Sequence, residues 1–359
     1  MVNKIIRNQQ YIPHQAVVLT NRKNIKDFSL NKVSTAYKMR GNCIGEDSAV
    51  WEIEFHPTNN CNLHCASCSY GTRRNEQSLT VKQITSVLER YGLYDLKSVF
   101  FSGGGDPLMW SHWGAFFETV RKPCHYGIAT NMFNFSKIKQ YFSLFDFYQI
   151  HVTGYDSATC KAATGIDAFR HINEHISFLL EHRSHSQDIA LKILFNQYNY
   201  LQLPLFLDYV TGMEANSVVI KYQQDFIVNK DLARSEVLDH MREIVYSHKI
   251  VNEYDYLLDN FDDAMYSTYP RPEKCLFANS GLYRLINAEG AMFPCIAANA
   301  KKENRISNTV GFVDIYSKAM RNGECPLKAC RHYRFSQHLA YENANHYLSE
   351  DAYHIPLLL

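Results

Sequence analysis

The chain has 359 residues, with 37 Lys and Arg against 36 Asp and Glu and a formal net charge of +1. That balance leaves no footprint for nucleic acid or an anionic membrane, and pairs such as Arg73-Arg74 and Lys301-Lys302 read as solvated surface. No apolar run approaches the ~18–20 residues that cross a bilayer, and the polar start from Met1 to Gln10 lacks a signal-peptide core, so a cytoplasmic protein is expected.

The length suits one large domain plus a smaller one. Residues 1–47 show no clear period and read as an N-terminal extension wrapped on the body. Ala49 to Phe55 alternates apolar and polar residues, as a first strand does. The loop holding Cys61, Cys65 and Cys68 follows it directly. Thr80 and Gln83 have capping-box spacing, and Val81, Ile84, Val87, Leu88 and Tyr91 mark one face of the helix behind them. Ser98 to Phe101 is a second strand, ending in Gly103, Gly104, Gly105 and Asp106. Tyr126 to Ala129 is a third, ending at Thr130 and Asn131, and Ser136 to Phe145 reads as helix.

Phe147 to Val152 is a fourth strand, closing near Thr153 and Tyr155. Asp167 is placed to cap a helix whose Phe169, Ile172, Ile176, Leu179 and Leu180 form one stripe. Ile189 to Phe195 and Ser217 to Ile220 are the last two strands, with Asn199 to Val210 between them as helix. Six strand–helix alternations predict an α/β fold with parallel strands and right-handed crossovers. The functional loops should then lie at the C-terminal ends of the strands. Residues 226–270 read as a helical connector, with Asp231 to His248 the clearest element. Residues 271–335 carry a second cysteine set, and 336–359 form a tail whose apolar Ile355 to Leu359 either docks on the body or stays sticky.

Ten cysteines in a cytoplasmic chain argue for metal ligation before disulfides. Cys61, Cys65 and Cys68 crowd three thiols into eight residues, good ligands for one soft metal centre. Zinc is one possibility for such a set. An iron–sulfur cubane is the other, and it normally takes four thiolates, so three leave one iron open to an outside molecule. Cys275, Cys295, Cys325 and Cys330 form the second set, while Cys43, Cys124 and Cys160 are left over as small buried hydrophobes by default.

The first triad resembles that of the radical S-adenosylmethionine (SAM) superfamily, with residues 48–225 as the core of the likeness. The resemblance implies a partial (β/α)6 barrel, open on one side. It implies a [4Fe–4S] cluster on Cys61, Cys65 and Cys68, with SAM chelated at the open iron and cleaved to a 5′-deoxyadenosyl radical that abstracts a substrate hydrogen. His64, inside the loop, as a fourth ligand would block SAM. Gly103, Gly104 and Gly105 resemble the segment that holds the SAM amino group through backbone, where Asp106 stands in place of the family's glutamate. Thr130 and Asn131 occupy a position that binds the SAM carboxylate or ribose in the family, or else cap a helix. Tyr70 is a candidate for contact with the adenine, with plain ring packing as the alternative. His151, Thr153 and Tyr155 could line the pocket. Lys192 and Lys221, on later strands, either meet the SAM carboxylate or the substrate or face outward.

The second set resembles the superfamily's short auxiliary-cluster domain, the twitch version of the SPASM domain, over residues 271–335. Cys275, Gly290 and Cys295 fit its spacing, with a hairpin from Tyr283 to Ile286 turning at Glu289 and Gly290. Its four thiolates suit one further [4Fe–4S] cluster, or a structural zinc. Cys160, just after a strand end, is the leftover cysteine placed to return a hydrogen atom if the reaction is an epimerisation. A flavodoxin- or ferredoxin-type electron donor is the usual partner.

Three functions compete. The first is a radical SAM enzyme that oxidises or epimerises a small molecule. The second is a maturase of a ribosomally made peptide. The third is a non-enzymatic zinc-binding protein on an α/β scaffold.

Overall fold

The alternation in Glu52–Phe55 (β2) puts Ile53 and Phe55 on one face of a strand and Glu52 and Glu54 on the other, all four buried. The computed structural model to which this strand belongs describes residues 16–21, 50, 52–66, 68, 70–71, 75–92, 96–120, 124–195, 199–222, 234–252, 254–258, 283–293 and 307–308. After β2 come helix α1 (Val81–Gly92), strand β3 (Ser98–Phe101), helix α2 (Trp113–Thr119), and strands β4 (His125–Thr130) and β5 (Phe147–Val152). Helices α3 (Ser157–Thr164) and α4 (Phe169–His182), strand β6 (Asp188–Phe195), helix α5 (Leu203–Thr211) and strand β7 (Ser217–Tyr222) complete the series. Strands β2 to β7 pair in chain order and all run parallel. This is an α/β fold built on a parallel sheet.

Antiparallel or added strands extend the sheet at both edges. Ala16–Asn21 (β1) pairs antiparallel with β7, and Tyr254–Leu258 (β8) pairs with β1. At the other edge Tyr283–Ile286 (β9) lies parallel to β2 and turns back into Ala291–Phe293 (β10), beyond which comes Ser307–Asn308 (β11). The hairpin turns as the sequence implies, with Gly290 at φ 74° and Asn287 Oδ1 accepting from the amides of Glu289 and Ala291. The order β11-β10-β9-β2-β3-β4-β5-β6-β7-β1-β8 leaves β11 and β8 at opposite ends, so the sheet is open.

One face of the sheet is covered by helices. Phe55 and Phe101 stack with centroids 5.9 Å apart, and Phe101 meets Trp113 and Phe116 of α2 edge-on at 5.0 and 5.5 Å. Ile84, Val87, Leu88 and Tyr91 of α1 and Ile172, Ile176 and Leu179 of α4 are buried there, on the expected stripes. Thr80 and Gln83 form their capping box, Thr80 N donating to Gln83 Oε1 at 2.8 Å and Gln83 N to Thr80 Oγ1 at 3.2 Å. The opposite face carries Glu52, Glu54, Ser98, Gln149, His151 and Lys192, all at alternate positions.

The structure departs from the sequence reading at four places. Residues 135–144 form two 3-10 turns, Phe135–Lys137 and Lys139–Leu144, in place of the expected α-helix. Apolar residues recur there every third position, at 135, 138, 141 and 144, the 3-10 period. Asp167 does not cap α4, whose N-cap is Ala168 with no side-chain bond. The full cap belongs instead to α3, where Asp156 and Thr159 form a capping box. The span 226–270, read as helical connector, holds helix α6 (Arg234–Ser247) but also β8, and the N-terminal extension contributes β1.

Cys43, Cys275, Cys295, Cys325, Cys330, the basic pairs and the apolar tail lie outside the described residues. No helix among the described residues is long and apolar enough to cross a membrane.

Candidate functional site

The cysteine loop leaves β2 and is tied to three other elements. Thr58 Oγ1 pairs with Ser78 Oγ at 2.7 Å, and Asn59 N donates to Gln77 O. His64 N and Ala66 N donate to the carbonyls of Thr164 and Ala163, the last turn of α3. Those carbonyls lack intrahelical partners, so the loop satisfies them. Cys61, Cys65 and Cys68 are half-buried thiols, and His64 is exposed beside them. Cys61 and Cys65 line a cavity of about 520 Å³ with Asn59, Asn60, His64, Gly71, Asn75 and Glu76.

Among the described residues no three His, Cys, Asp or Glu side chains are gathered closely enough to hold a metal ion. The chemistry of the loop still suits a thiolate-bound group. Asn131 Nδ2 donates to Cys61 Sγ at 3.9 Å and to Asn62 Oδ1 at 3.3 Å. The amide nitrogen of Asn62, next to Cys61, is buried without a partner. Donors of this kind around a sulfur set are what a sulfur-rich anionic group needs.

The triple glycine is explained by close approach. A Cβ on Gly104 would lie 2.1 Å from Asn59 Oδ1 and 2.8 Å from Tyr70 Cε1, and one on Gly105 would lie 1.9 Å from Asn60 O. The strand end therefore packs backbone to backbone against the cysteine loop, held by Gly105 N to Thr58 O at 3.1 Å and Asp106 N to Asn60 O at 2.9 Å.

Asp106 is engaged within the fold. Its carboxylate is buried and turned into the protein, where it accepts from Leu108 N at 2.9 Å, Thr130 Oγ1 at 3.0 Å and Asn131 N at 2.7 Å. It thereby fixes the ends of β3 and β4 together and sets Asn131 toward Cys61. Burial holds its carboxyl above the usual range, against the pull of those donors. A raised carboxylate pKa supplies stability that is full below the unfolded value near ~3.8 and is lost as pH rises through the folded one. Asp106→Ala removes that burial cost but strands three buried donors, so a net loss of about 1–3 kcal/mol at neutral pH is expected in urea unfolding.

Asn131 is the residue just past the end of β4, and His151 of β5 and Lys192 of β6 are direct register partners. Lys192 Nζ donates to Gln149 Oε1 at 3.1 Å. Burial, helped by the Lys192 charge, lowers the His151 pKa to about 4, so its imidazole is neutral at physiological pH. Tyr155 packs edge-on to Phe206 at 5.1 Å. Cys160 is 1 % exposed, its Sγ 3.6 Å from Thr153 Oγ1 in the core between β5 and α3. A thiol enclosed in this way has no substrate-facing surface, which counts against the hydrogen-donor role.

Residues 55–189, which span the cysteine loop, the glycines, Asn131 and His151, match the family model of the radical SAM superfamily. The likeness to that superfamily covers this stretch. Solved structures of similar fold include Streptococcus suis SuiB bound to S-adenosylmethionine, at 15% identity and TM-score 0.57, covering 76% of this chain and 67% of that one. SuiB bound to precursor peptide SuiA aligns at 14% identity and TM-score 0.57, covering 76% and 66%. The protein anSMEcpe with bound AdoMet aligns at 12% identity and TM-score 0.57, covering 81% and 95%. No curated protein matches the sequence.

The sheet also contains a buried group that period and spacing did not reveal. Glu54 accepts from Ser102 Oγ, Tyr283 Oη and His56 Nε2, the last at 3.0 Å. Burial pushes the Glu54 carboxyl up, but His56, Ser102 and Tyr283 outweigh it, and the pKa ends below the usual range. The available signal was two acidic residues at alternate positions of a first strand that has neighbours on both sides. A carboxylate there must find donors within the fold.

Proposed function

We propose that this chain is a radical SAM enzyme that cleaves SAM reductively, releases 5′-deoxyadenosine and removes a hydrogen atom from a carbon of its substrate. The observation that carries the reading is the cysteine loop itself. Three thiols within eight residues lie against a glycine strand end, with the Asn131 amide on Cys61, inside the stretch that matches the superfamily. In this reading Cys61, Cys65 and Cys68 hold a [4Fe–4S] cluster, which supplies the electron for sulfonium cleavage. The backbone of Gly103, Gly104 and Gly105 would hold the SAM amino group. Thr130, Asn131, Tyr70 and Lys192 orient the rest of the cofactor, and Asp106 acts through Asn131. A flavodoxin- or ferredoxin-type protein delivers the electron, in the cytoplasm.

Residues 271–335 form, in the same reading, a twitch/SPASM-like domain whose Cys275, Cys295, Cys325 and Cys330 hold a second [4Fe–4S] cluster. Its support is the β9–β10 hairpin, which lies between Cys275 and Cys295 and joins the sheet through β2. A peptide residue is the favoured substrate over a free small molecule, because SuiB, of similar fold, has been seen bound to a precursor peptide. Oxidation is favoured over epimerisation, since Cys160 is enclosed.

Anaerobic reconstitution tests the reading. About eight irons per chain, with a brown chromophore near ~400 nm, are expected for two cubanes. SAM with a low-potential reductant should then yield 5′-deoxyadenosine. A colourless protein holding about two zinc ions would overturn the enzyme and leave the zinc-binding alternative.

A further inference from the structure

A string of buried side chains runs from the C-terminal hairpin to the cysteine loop. Tyr283, on β9, is fully buried and donates its phenol to Glu54 Oε2. A carboxylate only accepts, so His56 donates from Nε2 to Glu54 Oε1, and its Nδ1 shares a hydrogen bond with Tyr70 Oη at 3.2 Å. His56 is 1 % exposed, and its ring meets that of Tyr70 at 6.1 Å and 72°. Tyr70 lies two residues beyond Cys68, its ring edge against the bare backbone of Gly104. Every link is a polar contact in low dielectric, where a broken member leaves its neighbours costly and unpaired.

We propose that Glu54 and His56 are positioning residues that pass the seating of the β9–β10 hairpin on to Tyr70 and so set the posture of the cysteine loop. The consequence for the enzyme, which rests on the cluster assignment above, is that SAM binding at the loop responds to whether the C-terminal cysteine segment is in place. β9 begins eight residues after Cys275 and β10 ends two residues before Cys295, so the hairpin is the described element nearest in sequence to both cysteines.

A second contact of the same hairpin provides the control. On the helix-covered face Tyr91 Oη donates to Met292 Sδ at 3.7 Å, and both residues are buried. Tyr91→Phe removes this one contact of β10 and leaves β9 paired with β2 and Tyr283 on Glu54.

The test is amide hydrogen exchange on the full chain without metal, read at the loop amides of His64, Ala66, Cys68 and Gly105, each hydrogen-bonded in the structure. Tyr283→Phe and Glu54→Gln should each speed exchange there by about tenfold or more, with the amides of β5 and β6 unchanged. Tyr91→Phe should leave the loop amides at the wild-type rate. Should Glu54→Gln unfold, Tyr283→Phe alone decides. Unchanged loop exchange in Tyr283→Phe, or equal acceleration in Tyr91→Phe, overturns the proposal.

With iron restored, Tyr283→Phe should keep the wild-type iron content and kcat for 5′-deoxyadenosine while its KM for SAM rises about tenfold. A chain that takes up no iron but shows the exchange pattern would sink the cluster assignment and leave the string standing.

Discussion

Cys61→Ala, Cys65→Ala and Cys68→Ala should each reduce 5′-deoxyadenosine formation to background while leaving the chain folded. The three thiols are half-buried on a loop outside the core. Their removal costs no packed volume, and the body is held by the parallel sheet and its helices. A cubane with two protein ligands has lost the minimum that holds it, so loss of iron and loss of SAM cleavage should coincide. Circular dichroism and the urea midpoint should match wild type, which separates a ligand effect from unfolding. His64→Ala is the companion variant. Its imidazole is exposed beside the loop and its backbone amide makes the bond to Thr164, so the substitution keeps the loop seated. Retained turnover in His64→Ala with none in the cysteine variants supports a triad open on one side. Turnover near wild type in any cysteine variant would refute the assignment.

Much of this architecture is legible without coordinates, for reasons that can be named. Hydrophobic period marks strands and helices wherever one face is buried, so Glu52–Phe55, Ser98–Phe101 and the Ile172, Ile176, Leu179 stripe stand out. The cysteine triad is legible because its ligands are local in sequence. What stayed hidden depends on contacts distant along the chain. Nothing in Ala16–Asn21 announces that it inserts between two strands about two hundred residues or more downstream. Asp106 follows the glycines, and position alone says nothing of what its carboxylate accepts within the fold. Its partners within the fold, Thr130 and Asn131, become neighbours only when β3 and β4 pair. Glu54 and Tyr283 are separated by 229 positions and meet only because β9 docks on β2. Local patterns thus reveal elements and local ligand sets, while the groups that orient those ligands come from strand order.

The glycines carry the second large effect, and they show why a permissive residue can be a strict requirement. Gly105→Ala should destabilise the chain by at least about 3 kcal/mol and abolish iron uptake. The added methyl would sit 1.9 Å from Asn60 O and 2.4 Å from Asn60 C, far inside the 3.0 Å that real Cβ atoms keep. Both opposing atoms are backbone, so no rotamer change can relieve the clash. The strand end and the cysteine loop must separate by more than an ångström. That separation breaks Gly105 N to Thr58 O and Asp106 N to Asn60 O, and it carries Cys61, the next residue after Asn60, out of reach of Asn131. Gly212→Ala is the contrast, because nothing lies within 4 Å of its Cβ position and its φ of −78° suits any residue. It should leave stability unchanged or raise it by about 0.4–1 kcal/mol through the unfolded chain. Urea unfolding of both variants and iron per chain after anaerobic reconstitution check the pair. A Gly105→Ala protein with wild-type stability and full iron would mean that the loop does not pack on the glycine strand end at all, and the proposed SAM site would lose the surface that forms one of its walls.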